Sequence, residues 1–394
     1  MSIAVALGFG MVIPVLPLYA KSFGVGLTAV GLIQVVFGLT RFSSQIVGGL
    51  VVDRFGERAT TIAGLLVVSG SSFWAGIATS FPELVVARGI GGFGSALFIN
   101  GLQNRILRIV PPSAMGRATG ASRSTFLVGT AVGPAAGGLV AHYFGLAAPF
   151  TFYGGALLVA AVIGWFVLGE APERGPAVRR LPIAALKAAR PLLANIGYST
   201  ALLATLTGWW AISGPVQVVG VVFAREQLHL PETEIGLAIT LLAVGEILTL
   251  AFTGRAADRY GRRAVLVPAL MVMTVAVAAL GHVDPIPWAF YPLMAAIGAG
   301  TAAASTAAGG LLGDSIPRGG SGAAVGFNQM AGDLGYLTAP ILVASIADST
   351  SYGTAYLVAA VVPAMVLAWA LRLPARAEPG DQEEVHDPAP VTRG

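Results

Sequence analysis

Runs of about 20 apolar residues, broken by short polar stretches, recur along nearly the whole 394-residue chain. At about 1.5 Å of rise per residue, each run is long enough to cross a hydrocarbon layer of roughly 30 Å as a helix. The pattern predicts twelve helices, at about residues 2–20, 28–52, 60–79, 82–104, 114–143, 147–168, 196–223, 234–256, 264–282, 287–313, 320–347 and 352–373. The fold class is therefore an all-α polytopic membrane protein with twelve transmembrane helices. Helix 1 has no basic segment before it and no small-residue cleavage site after it, so it is read as a retained span rather than a signal peptide. Residues 169–195 turn rich in Pro, Glu, Arg and Lys and read as a cytosolic linker between two six-helix bundles, 1–168 and 196–373. The acidic, Pro-containing tail, 374–394, reads as disordered and cytoplasmic.

The two bundles are copies. Gly49, Asp53, Arg54, Gly56 and Arg58 recur as Gly254, Asp258, Arg259, Gly261 and Arg263, with Arg262 added in the second copy, and Asp53 to Asp258 is an offset of 258 − 53 = 205. A repeat on this scale fixes architecture before any single residue does.

Composition narrows the chemistry. With 55% hydrophobic and 11% charged residues and a mean hydropathy of +0.78, too few polar side chains exist to coat a soluble body of this size. The chain has no cysteine, and its four histidines fall at span ends, in a predicted loop or in the tail, so metal and nucleophile chemistry is poorly supplied and no cofactor is expected. A membrane-embedded transferase would need Asp, His or Cys clustered at one membrane face, and no such cluster exists. The net charge of +4 does not point to nucleic acid, because 18 of the 23 Lys and Arg fall in alternate loops and the ends, against Lys21 and Arg225 in the others. By the positive-inside rule both termini face the cytoplasm of a cell-membrane protein.

At this point the residues resemble the major facilitator superfamily over essentially the full chain. Four motifs carry the resemblance. That family's signature between helices 2 and 3 is matched from Gly254 to Arg263, while the first copy has Glu57 in place of a basic residue. The helix 4 pattern appears as Leu84, Arg88, Gly92 and Gly94, with Gly91 where glutamine is usual. Helix 1 carries the related Gly8, Gly10, Pro14, Pro17, Tyr19 pattern. In helix 5, Gly129, Gly133, Pro134, Gly137 and Gly138 match the signature of the family's proton-coupled exporters. The resemblance implies a monomeric transporter driven by the proton gradient, with small molecules, protons and lipids as its partners.

Each motif also has a mechanical reading. Opposite charges at the Asp-Arg turns suit either a cytoplasmic latch between the halves or a plain topological anchor. Gly129, Gly133 and Gly137 are spaced four apart, so one stripe of helix 5 lacks side chains and admits a close neighbour. Pro134 permits a kink.

Away from the span ends, five charged residues fall inside predicted spans: Arg41, Arg88, Arg123, Glu246 and Asp333. A charge in the bilayer costs at least ~2.5–3.5 kcal/mol on insertion scales, so each needs a partner, water or a changed protonation state. Adding 205 to 41 gives Glu246, so equivalent points carry opposite charges, each 12 residues from its motif aspartate. In the family's fold helix 2 faces helix 11 and helix 5 faces helix 8, which implies the pairs Arg41 with Asp333 and Arg123 with Glu246. Such pairs either couple proton uptake to opening of the cytoplasmic side or act as static packing contacts. Arg88 corresponds to the family's proton-transfer arginine, or else snorkels to the outer interface. The helix 1 acid of many family exporters is absent, which shifts proton coupling to Glu246 and Asp333.

A substrate site is expected near mid-membrane between the halves. By depth and type, Gln34, Phe37, Asn100, Trp209, Trp210, Gln217, Asn328 and Gln329 are candidates to line it. The expectation is export of small hydrophobic compounds, neutral or anionic, in exchange for protons by alternating access. Proton-coupled uptake and passive facilitation are the alternatives.

Overall fold

A computed structural model describes residues 2–109, 115–169, 192–315 and 322–374. Most of the linker and the tail after residue 374 lie outside the described residues. Among those described, eleven helices are long and apolar enough to cross a membrane. Helix 1 is the exception, because it is broken into Ser2–Val12 and Leu16–Lys21. Pro14 sits in the gap, and the single span predicted from the apolar run has to be corrected there.

The duplication shows in the helix bounds. Helix 2 runs Leu27–Phe55 and helix 8 runs Glu232–Tyr260, each 29 residues, and both bounds differ by 205. Helices 3 and 9 begin at Glu57 and Arg262, again 205 apart. Between them stand Gly56 at φ +84° and Gly261 at φ +93°, a conformation that L side chains rarely adopt. Helices 2 and 8 are longer than predicted, so Asp53 and Asp258 sit in a last helical turn and the glycine alone makes the bend.

Helices 4, 5 and 6 span Phe81–Ile109, Met115–Phe144 and Ala148–Val167. Helix 7 has three parts: Ile196–Ala211, a π-helix over Ile212–Gly220, and Val221–Glu226. Pro215 lies in the π segment and cannot donate to the α ladder, which is a local reason for the widened turns. Helices 10, 11 and 12 are Phe290–Ser315, Gly322–Ser349 and Tyr352–Ala370.

Helix 1 packs on the glycine stripe of helix 5. A Cβ at Gly133 would lie 2.7 Å from the Gly10 Cα, and one at Gly137 would collide with Met11 backbone. Across the seam between the halves, helix 2 packs on helix 11 and helix 5 on helix 8. The close approach at the first crossing places a Gly31 Cβ 2.7 Å from the Pro340 carbonyl oxygen.

Candidate functional site

The two ends of the seam differ. The end carrying Asp53 and Asp258 is called the motif end here. At the opposite end, Lys21 pairs with Glu226 at 3.0 Å and His142 with Glu232 at 3.6 Å. Asp348 of helix 11 accepts from the Leu27 amide at 3.0 Å and from both the amide and the hydroxyl of Thr28 at 2.7 Å. Helix 2 thus receives from the other half a carboxylate at its first turn, where free N–H groups and the positive dipole end favour one.

At the motif end, three arginines bond inside their own halves. Arg262 bonds Asp258 at 2.6 Å and Asp314 at 3.3 Å, all in the second half. Arg263 donates to the Leu373 carbonyl at 2.6 Å. Arg58 donates to the Trp165 carbonyl and lies over that ring, within the first half. Asp53 is exposed, as are Arg54 and Arg259, each stacked on its neighbouring ring. In this conformation Arg58, Arg262 and Arg263 brace helices within their own bundles.

At mid-depth the structure brings Arg41 and Asp333 together across the seam, Nη2 to Oδ1 at 3.7 Å, both partly buried. Tyr336, one helical turn after Asp333, covers Arg41 at 5.7 Å, and Gln329 lies one turn before Asp333 on the same helix. Nearby, Gln34 donates to Gln217 at 2.7 Å, joining helix 2 to the π segment of helix 7.

Beside these contacts lies a cavity of about 390 Å³ between the halves, walled by helices 1, 5, 7, 8 and 10. Its lining is mainly apolar, with Phe9, Ile13, Phe126 and Trp209, and it includes Glu246, which accepts from Thr301 at 3.2 Å. Arg123 is helical in helix 5, but its side chain lies outside the described residues, and so does the pair expected with Glu246.

Of the residues expected to line a substrate site, Trp209 and Gln217 do, and Gln34 and Phe37 line a smaller adjoining cavity. Three expectations need correction. Trp210 is buried and turns away to donate to the Ala359 carbonyl of helix 12 at 3.0 Å. Asn100 is held between helices 2 and 4, donating to the Gln45 side chain at 2.8 Å. Gln329 is exposed beside Asp333 and is not part of either cavity wall. Asn328 stands one layer back, accepting from the cavity residue Thr205 at 2.8 Å. Arg88 does not snorkel: it is 5% exposed, and its guanidinium lies 4.6 Å over the Phe37 ring. Among the described residues no carboxylate meets it. Tyr336 was missed, although its i+3 spacing from Asp333 puts it on the same helical face.

Comparison with known proteins agrees with this architecture. The family model described as Major Facilitator Superfamily matches residues 1–225 and again 201–393. Multidrug resistance protein 1 of Bacillus subtilis (strain 168) is 33% identical over 170 residues, 43% of each chain. Quinolone resistance protein NorA of Staphylococcus aureus is 31% identical over 168 residues, again 43% of each. These alignments span less than half the length of either relative. Among solved structures, a bacterial homolog of the human lysosomal transporter Spinster, in an inward-facing and unoccupied conformation, superposes with a TM-score of 0.74. It is 13% identical, over 96% of this chain and 98% of that one. The nucleoside transporter NupG (D323A mutant) gives 0.74 at 15% identity, over 94% and 98%. With the family model matched over both halves, this chain belongs to the major facilitator superfamily.

Proposed function

We propose that this protein is a secondary transporter that exports small, mostly apolar compounds in exchange for protons, alternating access between the two sides of the cell membrane. The observation that carries the reading is a largely apolar cavity of about 390 Å³ at the seam, with the Glu246 carboxylate in its wall. Its size suits a drug-sized ligand. The matched relatives named for multidrug and quinolone resistance support export over uptake.

The distribution of Lys and Arg supports a cytoplasmic motif end, so the conformation with the opposite end joined is the inward-facing one. Arg41 to Asp333 is then formed while the outer side is closed, and it acts as a mid-depth tie rather than as the closure of the cytoplasmic side. Protonation of Asp333 or Glu246 removes a negative charge from the seam, which weakens any tie to an arginine and lets the halves rock. Arg41 faces Asp333 and Arg88 opens only on the smaller cavity, so the larger cavity suits a neutral apolar body.

The test is efflux of a fluorescent apolar dye from a pump-deficient host expressing the chain. Wild-type efflux is expected to stop when the proton gradient is collapsed, and Glu246→Gln is expected to reduce it by at least about tenfold. Gradient-independent efflux, or an unaffected variant, would count against proton coupling. Counterflow in oriented vesicles checks the direction.

A further inference from the structure

The smaller cavity is a place in the molecule with an unmet chemical demand. Arg88 is 5% exposed, and its Nε has no hydrogen-bond partner among the described residues. The guanidinium faces the ring of Phe37, which attracts a cation but accepts no in-plane hydrogen bond. A buried cation with an unfilled donor is costly, and leaving it so is disfavoured unless something with an acceptor atom visits it. The space it faces is about 20 Å³, lined by Gln34, Phe37, Gln217 and Tyr336. That is room for about one oxygen atom of a larger group, whose remainder stays in the adjoining cavity.

This space is not isolated. Phe9, Ile13 and Gln217 line both it and the larger cavity, so the two adjoin along one wall. A compound whose apolar body fills the larger cavity reaches Arg88 with one small group once the Gln217 side chain, which accepts from Gln34 at 2.7 Å, turns aside. The five donors of a guanidinium select what that group must be, namely a hydrogen-bond acceptor, with a carboxylate oxygen preferred over a neutral carbonyl.

Resting on the transporter reading above, we propose that the Arg88 cavity is a second subsite that recognises a carbonyl or carboxylate oxygen carried on an otherwise apolar substrate. The larger cavity supplies binding by burial, and Arg88 supplies discrimination. A ligand that fills the large cavity but lacks the acceptor leaves the guanidinium donors unpaired, which is how sites built around polar groups reject close isosteres.

The test is equilibrium dialysis of the purified protein in lipid nanodiscs, with empty nanodiscs subtracting membrane partition. Three probes share one body: 1-naphthoate, 1-acetonaphthone and 1-ethylnaphthalene. Wild type is expected to bind naphthoate about tenfold tighter than ethylnaphthalene, with acetonaphthone between them. In Arg88→Leu the three are expected to bind alike, at the ethylnaphthalene level. Val12→Leu adds a methylene beside the small cavity, whose wall includes Val12, and keeps the charge. It is expected to lose the same preference while still binding ethylnaphthalene, which separates an occluded subsite from a damaged fold. Equal binding of the three probes by wild type would overturn the subsite and leave the larger cavity intact. A preference that survives both variants would overturn it too. Failure of every probe to bind wild type would overturn the apolar-cavity reading along with it.

Discussion

Arg41 and Asp333 lie 3.7 Å apart on helices from opposite halves, and their meeting follows from a simple constraint. A charge placed in a span has to find an opposite charge, water or a proton, and that constraint is visible in sequence. Asp333→Asn is expected to abolish gradient-driven transport while substrate counterflow persists, as measured in proteoliposomes. Swapping the charges, Arg41→Asp with Asp333→Arg, is expected to restore part of what either single change loses. If the swap is no better than the singles, attraction between the two is not what matters. Depth and residue type were poorer guides. Asn100, Trp210 and Gln329 sit at depths suited to a substrate site, yet they face Gln45, Ala359 and Asp333. A polar side chain in a span satisfies itself with the first acceptor in reach, and which neighbour supplies one depends on helix rotation that the chain pattern does not encode.

At the scale of elements, the glycine stripe of helix 5 announced a close neighbour but not which one. The neighbour is helix 1, whose backbone from Ala6 to Met11 lies where Cβ atoms at Gly129, Gly133 and Gly137 would be. Gly133→Val is expected to destabilise the N-terminal bundle by about 1–3 kcal/mol or prevent its folding, read as a lowered thermal midpoint or lost expression. Gly155→Val, at a position with open space around it, is the control and is expected to leave both unchanged. Helix breaks were the least legible elements. Pro14 divides helix 1, whereas Pro134, Pro268, Pro340 and Pro363 sit inside continuous helices. The π segment of helix 7 around Pro215 leaves no trace in an apolar run, because lipid and protein interior ask for the same side chains. It matters nonetheless, since Gln217 reaches Gln34 from that segment.

For the whole molecule, the repeat was legible to the residue, because an offset of 205 relates helix 2 to helix 8 at both ends. What the sequence could not supply was the state. The ties at the end opposite the motif, chiefly Asp348 on helix 2 and Lys21 on Glu226, hold one side of the seam together. Asp348→Ala is expected to shift the population toward the state joined at the motif end. The absence of native cysteine lets Phe55→Cys and Val325→Cys, both at exposed sites, carry spin labels without background. Their distance distribution is expected to move to shorter values in the Asp348→Ala background, and an unmoved distribution would remove Asp348 from the closure.

On the proposed function, carboxylates at the seam couple a proton gradient to substrate movement. The most direct measurement is concentrative transport of an apolar dye in proteoliposomes under an imposed pH gradient, comparing wild type with the Glu246→Gln/Asp333→Asn double variant. Wild type is predicted to accumulate dye against its gradient, and the double variant only to equilibrate it while retaining counterflow. Undiminished accumulation by the double variant would contradict the account.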